Sequence, residues 1–592
     1  MDRGTRSKTL ADLLPLAAQV YGDAPAVRYK EGEQWVDRSF SEVREIVRPL
    51  ALGLAALGVR KGDRVSILGN TRPEWTYFDF AALSIGATVV PIYQTNSPEE
   101  CRYVLENSDA KVVVVEDEEQ MEKIRKVRDQ LPKLEHVVRM TGSSDDAMSS
   151  EELAAKGEGD DARWESLYSA VTPADICTFI YTSGTTGPPK GCIISHGNYR
   201  AMLDMVNETS VIEPEDLSYL YLPLAHSFAL LIQLGSFDLG ATLAYWERDP
   251  LKIMPNLAEL KPTYFPSVPR IFEKIYTMAT SAMEKEGGLK KAIFEWAIKT
   301  GSKVRAMERE GREPGFLLSR QYAFADKKVL SKIRNLFGGK LRLAVSGAAP
   351  INPDILRFFD AAGVLVLEGW GMTETSTAAT ISSPDDFKIG TIGKPFPGCE
   401  VRIAEDGEIL VKGPNVFQGY HKNEEATRET IVDGWLHTGD VGEIDSDGFI
   451  KITGRKKDII ITAGGKNITP ANLEAEIKQH PLVSQCVVVG DRRPYLVGLV
   501  TLDPEEAAAY ANENGLDQTP EQLAANPDVK ASIMAHVDQI NQNFARVEQV
   551  KKIAILPHDL SQESGELTPT LKVKRAVVAA KHEDEIEKLY AG

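Results

Sequence analysis

The sequence predicts an α/β protein: a large N-terminal region of two α/β subdomains and a small β-barrel-like subdomain, hinged to a small α+β C-terminal domain. Three observations carry this expectation. Strand-like apolar runs alternate with helically spaced ones from residue 26 to beyond residue 360. Some strands are continuously apolar, VVVV at 112–115 being the clearest, as in a sheet covered on both faces. From residue 398 the text changes to short β segments between Gly and Asp turns, and after residue 454 a second, smaller alternation begins.

The elements follow in order. AVRYKEGEQWVDRSF, from Ala26, reads as a hairpin turning at residues 31–33, and a helix runs from Ser41 to Leu57, ending at Gly58. VRKGDRVSILG is a turn and strand. A helix over 75–83 ends at Gly86, ATVVPIY is a strand, and 98–107 is helical before the valine run. The acidic, Ser-rich stretch 140–164 reads as a surface connection. A second subdomain follows in SYLYLPLAHSFA, GATLAYW and KPTYFPSVPRIFEKIY. Residues 284–337 form a Lys/Arg-rich helical excursion read as solvated, and LRLAVSGAAP and VLVLEGWGMTETS are strands entering turns. CEVRIAEDGEILVKG and GWLHTGDVGEID supply the β-rich piece. After FIKITG, a capped helix over 470–480, strands in VSQCVVVGD and YLVGLVTLD, a helical stretch over 504–546 and the tail make up the last unit. The domains are therefore drawn at 1–454 and 459–592, with 455–458 between them.

At 592 residues and 65.1 kDa the chain exceeds one core, and about four compact units are expected. Hydrophobic content of 43%, charged content of 26% and a mean hydropathy of −0.23 exclude a disordered chain. A net charge of −18 argues against a nucleic-acid surface. The five cysteines are scattered with no CxxC pair, which suggests neither a disulfide framework nor a zinc site and fits a reduced cytoplasm. The first residues read as an amphipathic helix rather than a leader, and no stretch of about twenty apolar residues spans a membrane. Peripheral membrane contact stays open.

The chemistry gathers around YTSGTTGPPKG at 181–191. Gly184, Gly187 and Gly191 let the backbone approach a ligand, Thr182, Ser183, Thr185 and Thr186 offer hydroxyls, and Lys190 adds a positive charge: a phosphate cradle between strands. The P-loop of motor-type NTPases does not fit, because Pro189 stands where its second glycine belongs. In VSGAAP, Ser346 and Gly347 end a strand, where open sheets meet ligands, although a tight turn reads the same. EGWGMTE, residues 368–374, offers Trp370 to a planar base and Glu374 to Mg²⁺, against a buried aromatic with a surface carboxylate. Asp440 in WLHTGD is a ribose acceptor or a turn aspartate. Arg455 and Lys457 in GRKKD, and Lys572 in GELTPTLKVKR, are ligand groups or exposed charge.

The ordered set YTSGTTGPPKG, SGAAP, EGWGMTETS, DGWLHTGD, ITGRKKDIII and LTPTLKVKR resembles the adenylate-forming superfamily over nearly the whole chain. Within it the chain is most similar to long-chain fatty acid CoA ligases, by VPRIFEKIY, the helical excursion and the tail. It departs from many relatives in carrying Leu571, not Gly, before the tail lysine. The resemblance implies activation of a fatty carboxylate by ATP to acyl-AMP and pyrophosphate, then transfer to coenzyme A. It assigns Thr182 and Glu374 to Mg²⁺, the loop 182–190 to phosphates, and Asp440 and Arg455 to ribose. Gly347 and the run Glu368, Gly369, Trp370, Gly371, Met372 and Thr373 enclose adenine, and Lys572 bridges carboxylate and α-phosphate. Lys457 is the hinge about which the C-terminal domain rotates, Gly464, Gly465 and Lys466 line the CoA channel, and His226 gates the second step, with a core histidine as the plain alternative. Ala225, Phe228 and Leu231 are placed on the acyl tunnel wall. A homodimer is compatible with this reading; an aryl or medium-chain CoA ligase, a fatty acyl-AMP ligase and a non-catalytic binding protein of the same fold are its alternatives.

Overall fold

The computed structural model describes residues 3–157, 161–182, 188–463, 466–516, 519–568 and 572–591, excepting the side chains of residues 281, 282, 284–286 and 520. Two large sheets dominate the N-terminal region. The first has eight strands, with Thr88–Ile92, Arg64–Leu68, Val112–Val115 and His136–Arg139 parallel at its centre. Ile176–Thr182 pairs parallel with Thr88–Ile92, and Lys190–Ser195 folds back antiparallel upon it. All four valines of 112–115 are fully buried, as continuous apolar strands require.

The second sheet has nine strands, and the hairpin Pro25–Glu31 and Gln34–Ser39 lies at its edge rather than beside the strands that follow it in sequence. Val27 pairs in parallel register with Leu243. The helix between them begins at Phe40, where Ser39 and Glu42 form a reciprocal capping box. Pro73–Ser84 and Ser227–Leu239 are buried nearly all round and share one apolar core with both sheets. Inside that core Thr76 donates to Gln233 Oε1 at 2.6 Å and Gln233 donates to Asp79 at 2.7 Å. Burial pushes the Asp79 carboxyl up to about 7.

Two expectations are corrected. The stretch 140–164 is not a surface connection: it holds the strand Met148–Ser149 and the helix Ser150–Lys156, and leads into the helix Asp161–Ser169. Trp164 is 1% exposed, with its indole N–H on Ser84 at 2.9 Å. Polar composition concealed this packing, which rests on Trp164 and Leu153 and on glycines that let the helices approach closely. A Cβ on Gly53 would stand 2.2 Å from the Leu153 carbonyl oxygen, and one on Gly157 2.0 Å from that of Pro49. The excursion, in turn, is not merely solvated. Pro269–Glu286, Gly288–Arg309 and Phe316–Ala325 bury one face through Phe272, Ala297 and Ala325 but leave Leu289, Phe316, Leu317 and Phe324 exposed at 52–76%.

The β-rich piece is a five-stranded antiparallel sheet in which Trp435–Ile444 pairs with Glu408–Lys412, Ile431–Val432 and Ile450–Arg455. The last unit carries a three-stranded sheet, Val483–Val489, Leu496–Leu502 and Val550–Ile555, packed with helices around its own core. Its helix Pro470–Ile477 starts on proline at the first turn without a side-chain cap, so the expected cap is absent there. This unit docks on Pro269–Glu286 through Arg270 with Asp503 and Lys274 with Glu505, both at 2.6 Å.

Candidate active site

The strand Ile176–Thr182 delivers Thr182 to its carboxyl end, and the chain returns at Lys190 directly opposite it. Ser183, Gly184, Thr185, Thr186 and Gly187 lie outside the described residues. The far side of the loop is held where the Tyr103 hydroxyl donates to the Pro189 carbonyl at 3.0 Å. Beneath it Cys192, wholly buried, lies against both Thr182 and Glu374, and burial keeps its thiol well above the ordinary value.

Glu374 sits in a single 3₁₀ turn, Thr373–Thr375, following the strand Val366–Trp370. It is 6% exposed, one carboxylate oxygen accepts from the Tyr420 hydroxyl at 2.6 Å, and its carbonyl accepts from the Phe417 amide. Gly371 is required by close approach, since a Cβ there would stand 2.3 Å from the Thr377 carbonyl oxygen. Met372 donates its amide to Thr375, and Thr373 is buried beside Glu374.

On the adjoining strand ends, Ser346 stands in register with Glu368. The Ser346 hydroxyl is buried without a partner among the described residues, and burial pushes the Glu368 carboxyl up to about 8, against a backbone bond from Gly390. A Cβ on Gly347 would touch the Phe228 ring at 3.4 Å, and Gly369 packs on Ile381. A strand end offering a neutral carboxylic acid, an unpartnered hydroxyl and two glycines can receive a planar polar group.

Asp440 and Arg455 face each other across paired strands. Asp440 accepts from Arg455 Nε at 2.7 Å and from the Trp370 indole N–H at 2.8 Å, so both its oxygens hold protein donors. A carboxylate has about four lone-pair positions, which leaves room for hydroxyls as well. The indole ring is thereby fixed edge-on to the carboxylate instead of free to swing.

Lys572, from the chain's tail, enters this group. Burial and the neighbouring Arg455 guanidinium pull its ammonium down to about 8, and Asp440 and Glu374 oppose the shift. His226 faces it from the N-terminus of Ser227–Leu239, where the ring Nδ1 accepts from the Phe228 amide at 3.2 Å. Burial first, and the Lys572 charge second, hold His226 down to about 3, so the imidazole is neutral. The structure thus gathers Glu374, Asp440, Arg455, His226 and Lys572. It does not bring Lys457 or Lys466 to this group: Lys457 is exposed in the turn after Ile450–Arg455, and Lys466 points to Glu548 at 4.0 Å. Gly464 and Gly465 lie outside the described residues. Ala225 is buried, Leu231 is buried in the shared core, and Phe228 is partly buried against Gly347.

One participant was missed in the sequence. Tyr420, in the two-residue strand Gly419–Tyr420 on the edge of the first sheet, bonds Glu374 and lies 5.0 Å below Lys190 Nζ. No period or motif marks a two-residue strand. For a metal, the Thr182 hydroxyl and the second Glu374 oxygen are hard donors flanking one thiol. That set fits Mg²⁺, which takes one or two protein oxygens and completes its shell with water and phosphate. Among the described residues no three His, Cys, Asp or Glu side chains converge as a self-sufficient metal site.

Comparison with known proteins gives the family. Residues 14–421 match the model for AMP-binding enzymes, and residues 457–592 match that for the AMP-binding enzyme C-terminal domain. The chain is 42% identical over 562 residues to long-chain-fatty-acid–CoA ligase FadD15 of Mycobacterium bovis, covering 94% of this chain and 92% of that one. It is 35% identical to long-chain-fatty-acid–CoA ligase ACSBG2 of Xenopus laevis, covering 98% and 84%. Among solved structures, the adenylation domain of a carboxylate reductase from Mycobacterium chelonae superposes with a TM-score of 0.78 at 22% identity, over 99% of this chain and 92% of that one. The anthranilate CoA ligase AuaEII bound to anthranoyl-AMP gives 0.74 at 22% identity, over 98% of both chains. These two likenesses show the fold, and the matched models and curated relatives show the family: the chain belongs to the AMP-binding enzymes.

Proposed function

We propose that this chain is a long-chain fatty acid CoA ligase that forms AMP. The observation that carries the reading is the meeting of Lys572 with His226, Glu374, Asp440 and Arg455, in a chain whose full-length relatives are named for this reaction. A carboxylate oxygen attacks the α-phosphorus, the bond to the β-phosphate oxygen breaks, and acyl-AMP and pyrophosphate form. The CoA sulfur then bonds to the acyl carbon, AMP leaves, and the thiol proton is lost to water.

The reacting carboxylate and triphosphate repel each other, so fixed positive groups lower the barrier without reorganising. Lys572 supplies the charge between them, and Lys190 supplies it at the leaving pyrophosphate. Asp440 and Arg455 orient the ribose hydroxyls, Glu368 and Ser346 face the base, and Trp370 walls it. His226, neutral at any working pH, contributes shape and a hydrogen bond rather than charge. When bound between Thr182 and Glu374, Mg²⁺ supplies positive charge to the triphosphate. For the second step the unit beyond the turn 455–458 leaves its dock on Pro269–Glu286, taking Lys572 with it and bringing the loop around Lys466 to the channel for CoA.

The decisive experiment separates the two halves. Lys572→Ala should lose fatty-acid-dependent pyrophosphate exchange by a factor of about 100 or more yet still convert supplied acyl-AMP to thioester. Equal survival of both halves would remove Lys572 from its role. Absence of pyrophosphate release from the unaltered protein with any fatty acid would remove the reaction.

Contact with a lipid surface belongs to the same reading. Leu289, Phe316, Leu317 and Phe324 of the helical excursion are exposed apolar side chains, while residues 287–328 hold ten Lys and Arg against five Asp and Glu in a chain of net charge −18. Apolar side chains among cations match an anionic bilayer that also dissolves the substrate. Among the described residues no helix is long and apolar enough to cross it. Replacing Phe316, Leu317 and Phe324 by serine should abolish sedimentation with anionic vesicles and leave turnover of detergent-dispersed substrate unchanged; unaltered sedimentation would refute the contact.

A further inference from the structure

We propose that Tyr420 is a positioning residue that sets the metal-facing oxygen of Glu374 and the height of Lys190 together, an inference that rests on the proposed function. Three contacts carry it. The Tyr420 hydroxyl donates to Glu374 Oε1 at 2.6 Å, within the range of about 2.5–2.7 Å for a hydroxyl bonded to a charged oxygen. The face of its ring stands 5.0 Å from Lys190 Nζ, a cation–π distance. Its backbone pairs with Cys192, the residue lying against both Thr182 and Glu374.

One side chain therefore touches both walls of the phosphate site. Lys190 belongs to the first sheet, whereas Glu374 comes from a turn leaving the second. Without Tyr420 a carboxylate on a single 3₁₀ turn could rotate either oxygen inward. With Oε1 engaged, Oε2 is the one presented. The tyrosine is itself held, since its amide donates to Thr427 Oγ1 at 2.9 Å and its ring packs edge-on to Phe417 at 4.9 Å. A ring fixed on both sides transmits the position of one sheet to the other instead of following whichever ligand binds.

The test is Tyr420→Phe, which deletes one oxygen and keeps the ring under Lys190. Nucleotide binding is read by tryptophan fluorescence, with and without Mg²⁺, beside the thermal midpoint. Losing a hydrogen bond to a charged group should weaken MgATP binding about tenfold and raise the Mg²⁺ concentration for half-maximal pyrophosphate exchange by a similar factor. Binding of metal-free ATP should stay within about twofold, since the ring face remains. On a Glu374→Gln background the same change should add little, because the coupling it reports has already been removed. Tyr420→His, which restores a donor, should recover part of the loss, and it keeps the test available if the phenylalanine variant proves insoluble. Equal weakening of ATP with and without metal, or unchanged metal dependence at a lowered midpoint, would make Tyr420 a merely structural residue and overturn the proposal. If the unaltered protein binds MgATP but releases no pyrophosphate, the proposed function fails while the binding comparison still decides this one.

Discussion

The Lys572 ammonium yields a pH dependence that differs between the two half-reactions. An ordinary lysine holds its proton to about 10.4. In this site burial and Arg455 bring Lys572 to about 8. With a single titration at that value, the charged fraction is about nine-tenths at pH 7 and about one-tenth at pH 9. If the bridging charge is what lowers the adenylation barrier, pyrophosphate exchange at subsaturating ATP should fall about tenfold between those two pH values. The second half-reaction, from supplied acyl-AMP, should lack this descending limb. The stability sign runs the other way. A lysine depressed on folding makes the chain with its tail inserted gain stability as pH rises from about 8 toward 10.4, because the unfolded chain then holds more protons than the folded one. High pH should thus favour the inserted tail while removing its catalytic charge. Lys572→Arg, charged throughout, should show a lower but flat profile above pH 8. Identical limbs in both half-reactions, or an undiminished limb in the arginine variant, would refute the reasoning. His226 cannot be its source, since at about 3 it is neutral throughout the range.

Other expectations follow from the same geometry. Asp440→Ala leaves the Trp370 indole N–H and the Arg455 guanidinium without their shared acceptor and should cost about 1–3 kcal/mol of stability along with a raised KM for ATP; an unchanged KM would sever Asp440 from the nucleotide. Asp79→Asn should flatten the pH dependence of stability. A carboxyl raised on folding to about 7 costs the protein stability as pH climbs from about 4 to 7, and a persisting slope after denaturant titration at several pH values would assign it elsewhere. Trp164→Ala should lower stability by about 3–5 kcal/mol without altering KM, measured by denaturant unfolding, and a change under about 1 kcal/mol would contradict its burial.

The motifs mark Glu374 and Asp440 at strand ends and turns, but spacing alone left a plainer reading open for each of them and for Lys572, and the family resemblance supplied the roles expected of all three. Their meeting was not readable by spacing, because 198 positions separate Glu374 from Lys572 and only a docked last unit joins them. Tyr420 was invisible for a different reason: its role comes from a two-residue strand pairing with residues more than 220 positions earlier. The hairpin at 25–39 looked local, yet its sheet is chosen by pairing with Leu243 and Ala244, which no neighbouring residue announces. Polar composition misled at 140–164, since Trp164 and Leu153 carry that packing while their charged neighbours face water. Wherever periodicity met continuous burial, as at 112–115, local sequence and tertiary structure agreed.

The docking of the last unit on Pro269–Glu286 has a kinetic consequence. Arg270 with Asp503 and Lys274 with Glu505 are partly exposed pairs, each worth about 0–1 kcal/mol. Together they would bias an equilibrium by roughly tenfold, which is enough to favour one arrangement and too little to trap it. Ionic strength then becomes a throttle on a machine that must change posture every turnover. Salt that screens those pairs should shorten the dwell of the docked unit, and the optimum salt for a full cycle should differ from the optimum for either half alone.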